Sequence, residues 1–214
     1  MAFDILINLA VEDELSEHLL RVTLGQTGRP FLIGVVYGRQ GNGYLKKMLP
    51  AFECAARGSA HLVMADLDNC PCVPSLIEDW FRCDFANYSK RRQHNLIFRV
   101  AVRECESWVM ADREAFAEFL GIALHHVPTQ PDALPDPKRQ LLELARRSRR
   151  RDLRDDLVPR PGDLRTIGPD YNGRLGEFLS TRWKASRAES SSPSFRRAYA
   201  RLKQFQPVLR TPSP

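Results

Sequence analysis

The sequence predicts an α/β fold, with a central four-stranded, mainly parallel sheet flanked by helices and a basic helical extension at the C-terminus. Three observations predict it. Four short, β-rich apolar runs recur through the first half, and segments of helical spacing lie between them. Strands that alternate with helices return by crossover and so pair in parallel. After Gly121 the chain becomes proline-rich and then strongly basic, with no further strand-like run.

Residues 3–11 (FDILINLAV) fit a strand buried on both faces, and in EDELSEHLLRVTL the residues Leu15, Leu19, Leu20 and Val22 recur at helical spacing. Gly28-Arg29-Pro30 is a turn, residues 31–37 (FLIGVVY) are a second strand, and residues 38–43 form a glycine-rich loop. Leu45, Met48, Leu49 and Phe52 share one face of a helix over residues 44–56, with Gly58 as its C-cap. Residues 60–65 (AHLVMA) are a third strand that runs into Asp66-Leu67-Asp68, and residues 74–81 a short helix. Residues 96–102 (LIFRVAV) are the fourth strand, and residues 106–120 one helix carrying Trp108, Val109, Phe116, Phe119 and Leu120. Residues 128–137 read as a proline-rich, ordered linker and residues 138–151 as a basic helix with Leu141, Leu142 and Leu144 on its apolar side. Residues 159–171 are loop-like, and residues 175–187 and 194–205 are two amphipathic helices, the last capped through Ser192-Pro193-Ser194. The tail at 211–214 is expected to fray. Two units follow: a domain over residues 1–127 and a basic helical region over 128–214 packed on it.

A chain of 214 residues can bury a real core, and 43% hydrophobic with 27% charged residues is ordinary for a globular protein. No stretch approaches the roughly 18 apolar residues of a membrane span. The N-terminal segment lacks a basic n-region and turns acidic where a signal peptide needs small residues, so a cytoplasmic location without membrane contact is expected. Five cysteines at irregular spacing do not form a disulfide framework. Cys70-Pro71-Cys72, with Cys83 and His94 further on, lacks the second ligand pair of a structural zinc site, so the thiols read as buried or idle.

The net charge of +6 hides an asymmetry. Residues 1–137 carry 13 Lys/Arg against 18 Asp/Glu, net −5, whereas residues 138–214 carry 19 against 8, net +11. An acidic front half with a basic rear points to a metal site beside a polyanion-binding surface; the alternative is a basic face that docks an acidic partner.

Loops at the carboxyl ends of parallel strands converge on one edge of the sheet, where ligands bind. Glu12 ends the first strand, and Asp66 and Asp68 end the third. In extended chain, residues i and i+2 point the same way, so the two aspartates are expected to face one cation. Carboxylates gathered there repel one another unless a cation neutralises them, and Mg²⁺ (or Mn²⁺) suits oxygen ligands that bridge to phosphate. Glu104 and Glu106 follow the fourth strand on the same edge. Glu106 can supply a second-metal ligand or a general base, or can serve with Glu104 as a first-turn acid of a helix.

Val11-Glu12-Asp13 and Asp66-Leu67-Asp68, with the glycine-rich turn after the second strand, resemble the TOPRIM domain of topoisomerases, primases and overcoming-lysogenization-defect nucleases. Asp13 stands where that pattern has glycine, and Ser16 where those nucleases have a further acid. From about residue 5 to 205 the chain is also similar to a family of small bacterial TOPRIM-like proteins. That likeness is carried by those two elements, by Arg103-Glu104-Cys105-Glu106-Ser107-Trp108 with Asp112, by Pro137-Lys138 and by Ser192-Pro193-Ser194-Phe195. It implies a gene beside an ABC-type or structural-maintenance-like ATPase, in pairs associated with anti-phage defence.

The run Arg146, Arg147, Arg149, Arg150 and Arg151, with Arg154, is the densest positive cluster. Phosphate backbones attract such clusters through counterion release; a solvated helix end is the plainer reading. Lys138, Arg196 and Arg197 are further phosphate contacts. No Gly-Lys-Ser/Thr ending follows the glycines, which excludes a Walker A loop, and no Ser/His/Asp or Cys/His arrangement is readable.

The leading expectation is a Mg²⁺-dependent nuclease with Glu12, Asp66, Asp68 and Glu106 as catalytic residues. Glu12, Asp66 and Asp68 would hold metal, and Lys138 with the arginine run would hold nucleic acid. The expected partners are nucleic acid, the ATPase encoded nearby and a second copy of the chain. The alternative is a catalytically inactive TOPRIM-like module that binds nucleic acid or docks the ATPase. Primer synthesis is a third reading.

Overall fold

The computed structural model describes residues 4–38, 40–91 and 93–208; Phe3, Arg39 of the glycine-rich loop and the tail at 211–214 lie outside them. The four expected strands form: β1 (Ile5–Val11), β2 (Phe31–Gly38), β3 (Ala60–Asp66) and β4 (Leu96–Ala101). They make one sheet in the order β2-β1-β3-β4, with all three pairs parallel. Every residue of central β3 is buried, which is why its sequence is a near-continuous apolar run. Edge strand β2 is half exposed.

The sheet is covered on both faces. Ile5, Ile7, Leu9 and Val11 point to one side and meet Leu15, Leu19, Leu20 and Leu24 of α1 (Glu14–Gly25). Asp13 starts that helix, because its carboxylate accepts the Ser16 N–H at 2.8 Å. Ala10, Val63 and Ala65 point to the other side and meet α2 (Asn42–Ala55) and α3 (Val73–Phe81). A further short helix, α4 (Phe85–Arg91), precedes β4.

The rest of the chain is helical and continues the α1 side: α5 (Cys105–Ala111), α6 (Arg113–Leu120), α7 (Pro137–Arg146), α8 (Arg151–Leu157), α9 (Tyr171–Thr181), α10 (Ala185–Ser191) and α11 (Pro193–Lys203). Their buried residues belong to the same apolar cluster as β1, which runs without a break from Ile5 to Phe205. Among the described residues no helix is long and apolar enough to cross a membrane.

Two expected helices are broken in two and a third stops short, each with a polar cause. The helix expected over 106–120 stops at Asp112, which leaves helical geometry (ψ 74°) and uses its carboxylate to accept from Lys184 N at 2.7 Å and from both Arg187 Nε and Nη2. The basic helix expected over 138–151 stops after Arg146, where buried Ser148 turns and donates to Leu120 O at 2.6 Å. The helix expected over 175–187 stops at Thr181, and Trp183 inserts into the core with its indole N–H on Trp108 O at 3.2 Å.

The proline-rich segment acts as a strap. Its Asp132 accepts Ser192 Oγ at 2.5 Å and Ser194 N at 2.7 Å, while Ser194 Oγ accepts the Trp108 indole N–H at 2.7 Å. These bonds join residues far apart in sequence around the start of α11, the helix capped by Ser192 as expected.

Candidate functional site

The strand order reverses between β1 and β3, because β2 lies on one side of β1 and β3 on the other. The crevice of such a sheet opens at the carboxyl ends of those two strands. Glu12 follows β1 and Asp66 ends β3, so both stand at that crevice. Glu12 Oε1 accepts the Asp66 N–H at 2.8 Å. The loop after β2 closes over Glu12, with the Gly41 N–H on the Glu12 carbonyl at 3.0 Å. Gly38 permits this approach. Its φ is 119°, and a Cβ there would sit 1.9 Å from Val11 O.

Asp66 is 9% exposed, and its Oδ1 is buried without a hydrogen-bond partner among the described residues. Leaving such an atom bare costs about 1–3 kcal/mol. Burial, reinforced by the charges of Glu12 and Glu106, pushes the Asp66 carboxyl well above the ordinary aspartate value.

Glu106, in the first turn of α5, is fully buried. Its Oε1 accepts the Tyr171 hydroxyl at 2.9 Å and faces Lys138 Nζ at 3.4 Å. Its Oε2 faces the Cys105 thiol at 3.5 Å. One ligand atom each from Asp66, Cys105 and Glu106 lie within 4.8 Å of one another, in a set that can hold a metal ion. Burial would lower the Lys138 ammonium, but the carboxylates of Glu106 and Glu104 outweigh it and hold it above the ordinary lysine value.

Asp68 stands apart from Asp66 in environment. The two were expected to share a direction because they are two residues apart in extended chain. Instead the strand ends at Asp66, and Asp68 takes a left-handed φ of 47°. Asp68 is therefore exposed, and its Oδ2 accepts Asn42 Nδ2 at 2.9 Å at the start of α2. Its charge still reaches the crevice. Burial lifts the Glu12 carboxyl to about 7 against the opposing Asp66 N–H, and the charges of Asp68 and Asp13 add to the rise.

Glu104 turns to another task. It immediately precedes α5, and its Oε2 accepts the Lys138 N–H at 2.8 Å, so it caps the N-terminus of α7 beside Asp136, which accepts Arg139 N. That bond also fixes the backbone from which Lys138 reaches Glu106.

The arginine run surrounds the turn between α7 and α8 and does not lie along one helix face. Arg150 pairs with Asp152 at 3.1 Å and Arg151 with Asp155 at 3.5 Å, while Arg147 Nη1 lies 3.4 Å from His126 Nδ1. Arg146 is exposed and, with Lys138, Arg139 and the acids Glu104, Asp136 and Glu143, lines a cleft of about 580 Å³ in which Arg139 pairs with Glu143 at 3.2 Å. That cleft shares Lys138 with the buried cluster.

Tyr171 and Cys105 are the members of the site that sequence reasoning did not assign to it. Tyr171 lies 65 residues from its partner Glu106 in a loop-to-helix junction, and no local pattern marks it. Cys105 carried a signal that was available, its place between Glu104 and Glu106 directly after the fourth strand. In comparisons with protein families, curated proteins and solved structures, no match to this chain is found.

Proposed function

We propose that the chain is a TOPRIM-like, Mg²⁺-dependent nuclease that hydrolyses phosphodiester bonds of DNA or RNA. The observation that carries this reading is the bare, buried Asp66 oxygen between the carboxylates of Glu12 and Glu106, at the switch point of a parallel sheet. Three acids so placed oppose one another, and a divalent cation is the simplest charge that relieves them. Mg²⁺ or Mn²⁺ would supply positive charge to the attacking water and to the leaving oxygen.

The chain's own residues divide the remaining work. Glu12 keeps one oxygen on Asp66 N, which leaves its other oxygen for the ion or for a proton from water. Asp68, on the rim, adds charge where solvent enters. Lys138 supplies a fixed positive charge for a phosphate oxygen, and Arg146, on the cleft that Lys138 also lines, supplies a second for the neighbouring backbone phosphate. An ATPase partner that licenses cutting, within a two-gene anti-phage system, follows from the family resemblance alone.

The test is to offer plasmid, single-stranded DNA and tRNA with Mg²⁺ or Mn²⁺, with and without the ATPase encoded nearby. Cleavage that Asp66→Ala abolishes supports the reading. Cleavage that survives Asp66→Ala with Asp68→Ala refutes the site.

A second reading, an inactive module that binds nucleic acid or docks the ATPase, is favoured by one contact. Lys138 already neutralises Glu106 without a metal. It predicts binding without cleavage under every condition above.

A further inference from the structure

The inner wall of the crevice differs chemically from its rim. Glu12 and Asp68 present only oxygen, and both are reached by solvent. Inside, Asp66, Cys105 and Glu106 are all buried and bring two carboxylates and a thiol within 4.8 Å of one another. The bare Asp66 Oδ1 is an independent sign that this pocket lacks a partner it is shaped to have. Magnesium can use the oxygens of Asp66 and Glu106 but has no use for the thiol between them in sequence, since it prefers oxygen throughout. An ion of zinc or ferrous type accepts thiolate with carboxylate and tolerates four ligands.

We infer that Asp66, Cys105 and Glu106 form an inner site for a divalent transition ion of the zinc type, distinct from the oxygen-only rim of Glu12 and Asp68. This deepens the proposed function and rests on it only for a cation beside Asp66. Metal–ligand lengths of about 2.0–2.3 Å set ligand atoms about 3.5 Å apart, so the three side chains need close by only about 1 Å. On binding, the Cys105 thiol gives its proton to solvent and its sulfur turns from Glu106 Oε2 to the ion. Tyr171 stays on Glu106 Oε1 and holds that carboxylate in orientation, as outer partners of metal ligands do. Lys138, the cation now beside Glu106, is 36% exposed and lines the adjoining cleft.

Cobalt(II) is the probe, because thiolate ligation gives it a charge-transfer band in the near ultraviolet. The other four cysteines, exposed or half-buried, are changed to Ser so that Cys105 is the remaining thiol. One equivalent of Co²⁺ is expected to bind with the band, to be displaced by Zn²⁺ and to withstand excess Mg²⁺. Adding Cys105→Ser is expected to abolish the band. If the four-serine chain does not fold, the difference spectrum between the unaltered chain and its Cys105→Ser or Cys105→Ala variant gives the same readout. Co²⁺ bound without the band overturns the inner site and leaves the Mg²⁺ reading standing. No Co²⁺ bound, with Mg²⁺-dependent cleavage intact, overturns it as well; neither Co²⁺ binding nor cleavage overturns both.

Discussion

Glu12 Oε1 receives the backbone N–H of Asp66 at 2.8 Å, a bond that fastens the end of β1 to the end of β3 where the strand order reverses. One carboxylate thus closes the sheet edge and charges the crevice, and two substitutions separate those roles. Glu12→Gln keeps an oxygen acceptor and removes the charge. It is expected to preserve or raise the metal-free Tm while weakening Mg²⁺ binding at least about tenfold, a loss of about 1.4 kcal/mol. Glu12→Ala removes both and leaves the Asp66 N–H bare, so it is expected to lose stability by about 1–3 kcal/mol as well. Thermal melts and calorimetric titration with Mg²⁺ read the two effects independently. Equal Mg²⁺ affinity in Glu12→Gln and the unaltered chain would remove Glu12 from the metal site.

The same residue sets a pH dependence. Its folded pKa of about 7 lies above the ordinary value of 4.5, and Asp66 shifts in the same direction. The folded state therefore binds protons more tightly than the unfolded state. That contribution to stability is fully present below 4.5 and is lost as pH rises through about 7. Metal-free protein is expected to melt lower as pH rises from about 5 to 8, and saturating Mg²⁺ is expected to reduce that slope because the cation binds the deprotonated acids. A slope that Glu12→Gln leaves unchanged assigns the effect to other groups.

Lys138 and Glu106 form a pair of unequal burial, 36% exposed against 0%. Removing one partner strands the other. Lys138→Met is expected to cost about 2 kcal/mol of metal-free stability, less than a fully buried pair because the lysine keeps some water. Glu106→Gln in the Lys138→Met background is expected to recover most of that loss, since the amide still accepts from Tyr171 and carries no charge. A double-mutant cycle in urea checks it, and additive losses would show that the pair contributes no coupling.

The sequence carried the sheet plainly, because each strand is a mostly apolar, β-rich run and each crossover has helical spacing. Glu12 and Asp66 were legible for the same reason, since a strand end is visible in sequence. The turn at Asp68 was not, because a left-handed φ at one aspartate reverses the two-residue rule without changing composition. Nor were the three helix stops. Asp112, Ser148 and Trp183 stop their helices through bonds to Lys184, Leu120 and Trp108, partners 28 to 75 residues away. Periodicity reports which face is buried, and such partners lie outside its window.

The arginine run also divides in a way composition could not show. Arg150 and Arg151 have acidic partners, while Arg146 faces the cleft that contains Lys138. Removing one cation that neutralises a phosphate should lower the slope of log affinity against log salt by about 0.7–0.9. Arg146→Gln is expected to show that change in metal-free binding of single-stranded or duplex DNA, and Arg151→Gln to show little. Equal slopes for both variants would mean that the backbone does not follow this cleft.

Asp112 offers the complementary control, because it belongs to the resemblance residues yet lies in a bond network of its own. It is 1% exposed, accepts Arg187 at 2.7 and 2.8 Å through two nitrogens and accepts Lys184 N at 2.7 Å, tying the α5–α6 junction to α10. Asp112→Ala leaves the Lys184 amide without its acceptor and the 44%-exposed Arg187 guanidinium with only Arg182 O, and is expected to cost about 2 kcal/mol, less than a fully buried pair because the arginine keeps water. Neither Mg²⁺ affinity nor the Co²⁺ band of the folded fraction should change. Asp112→Asn, which retains one acceptor oxygen, should lose less. A folded Asp112→Asn protein with impaired metal binding would show that this network positions the acids of the crevice and does not serve stability alone.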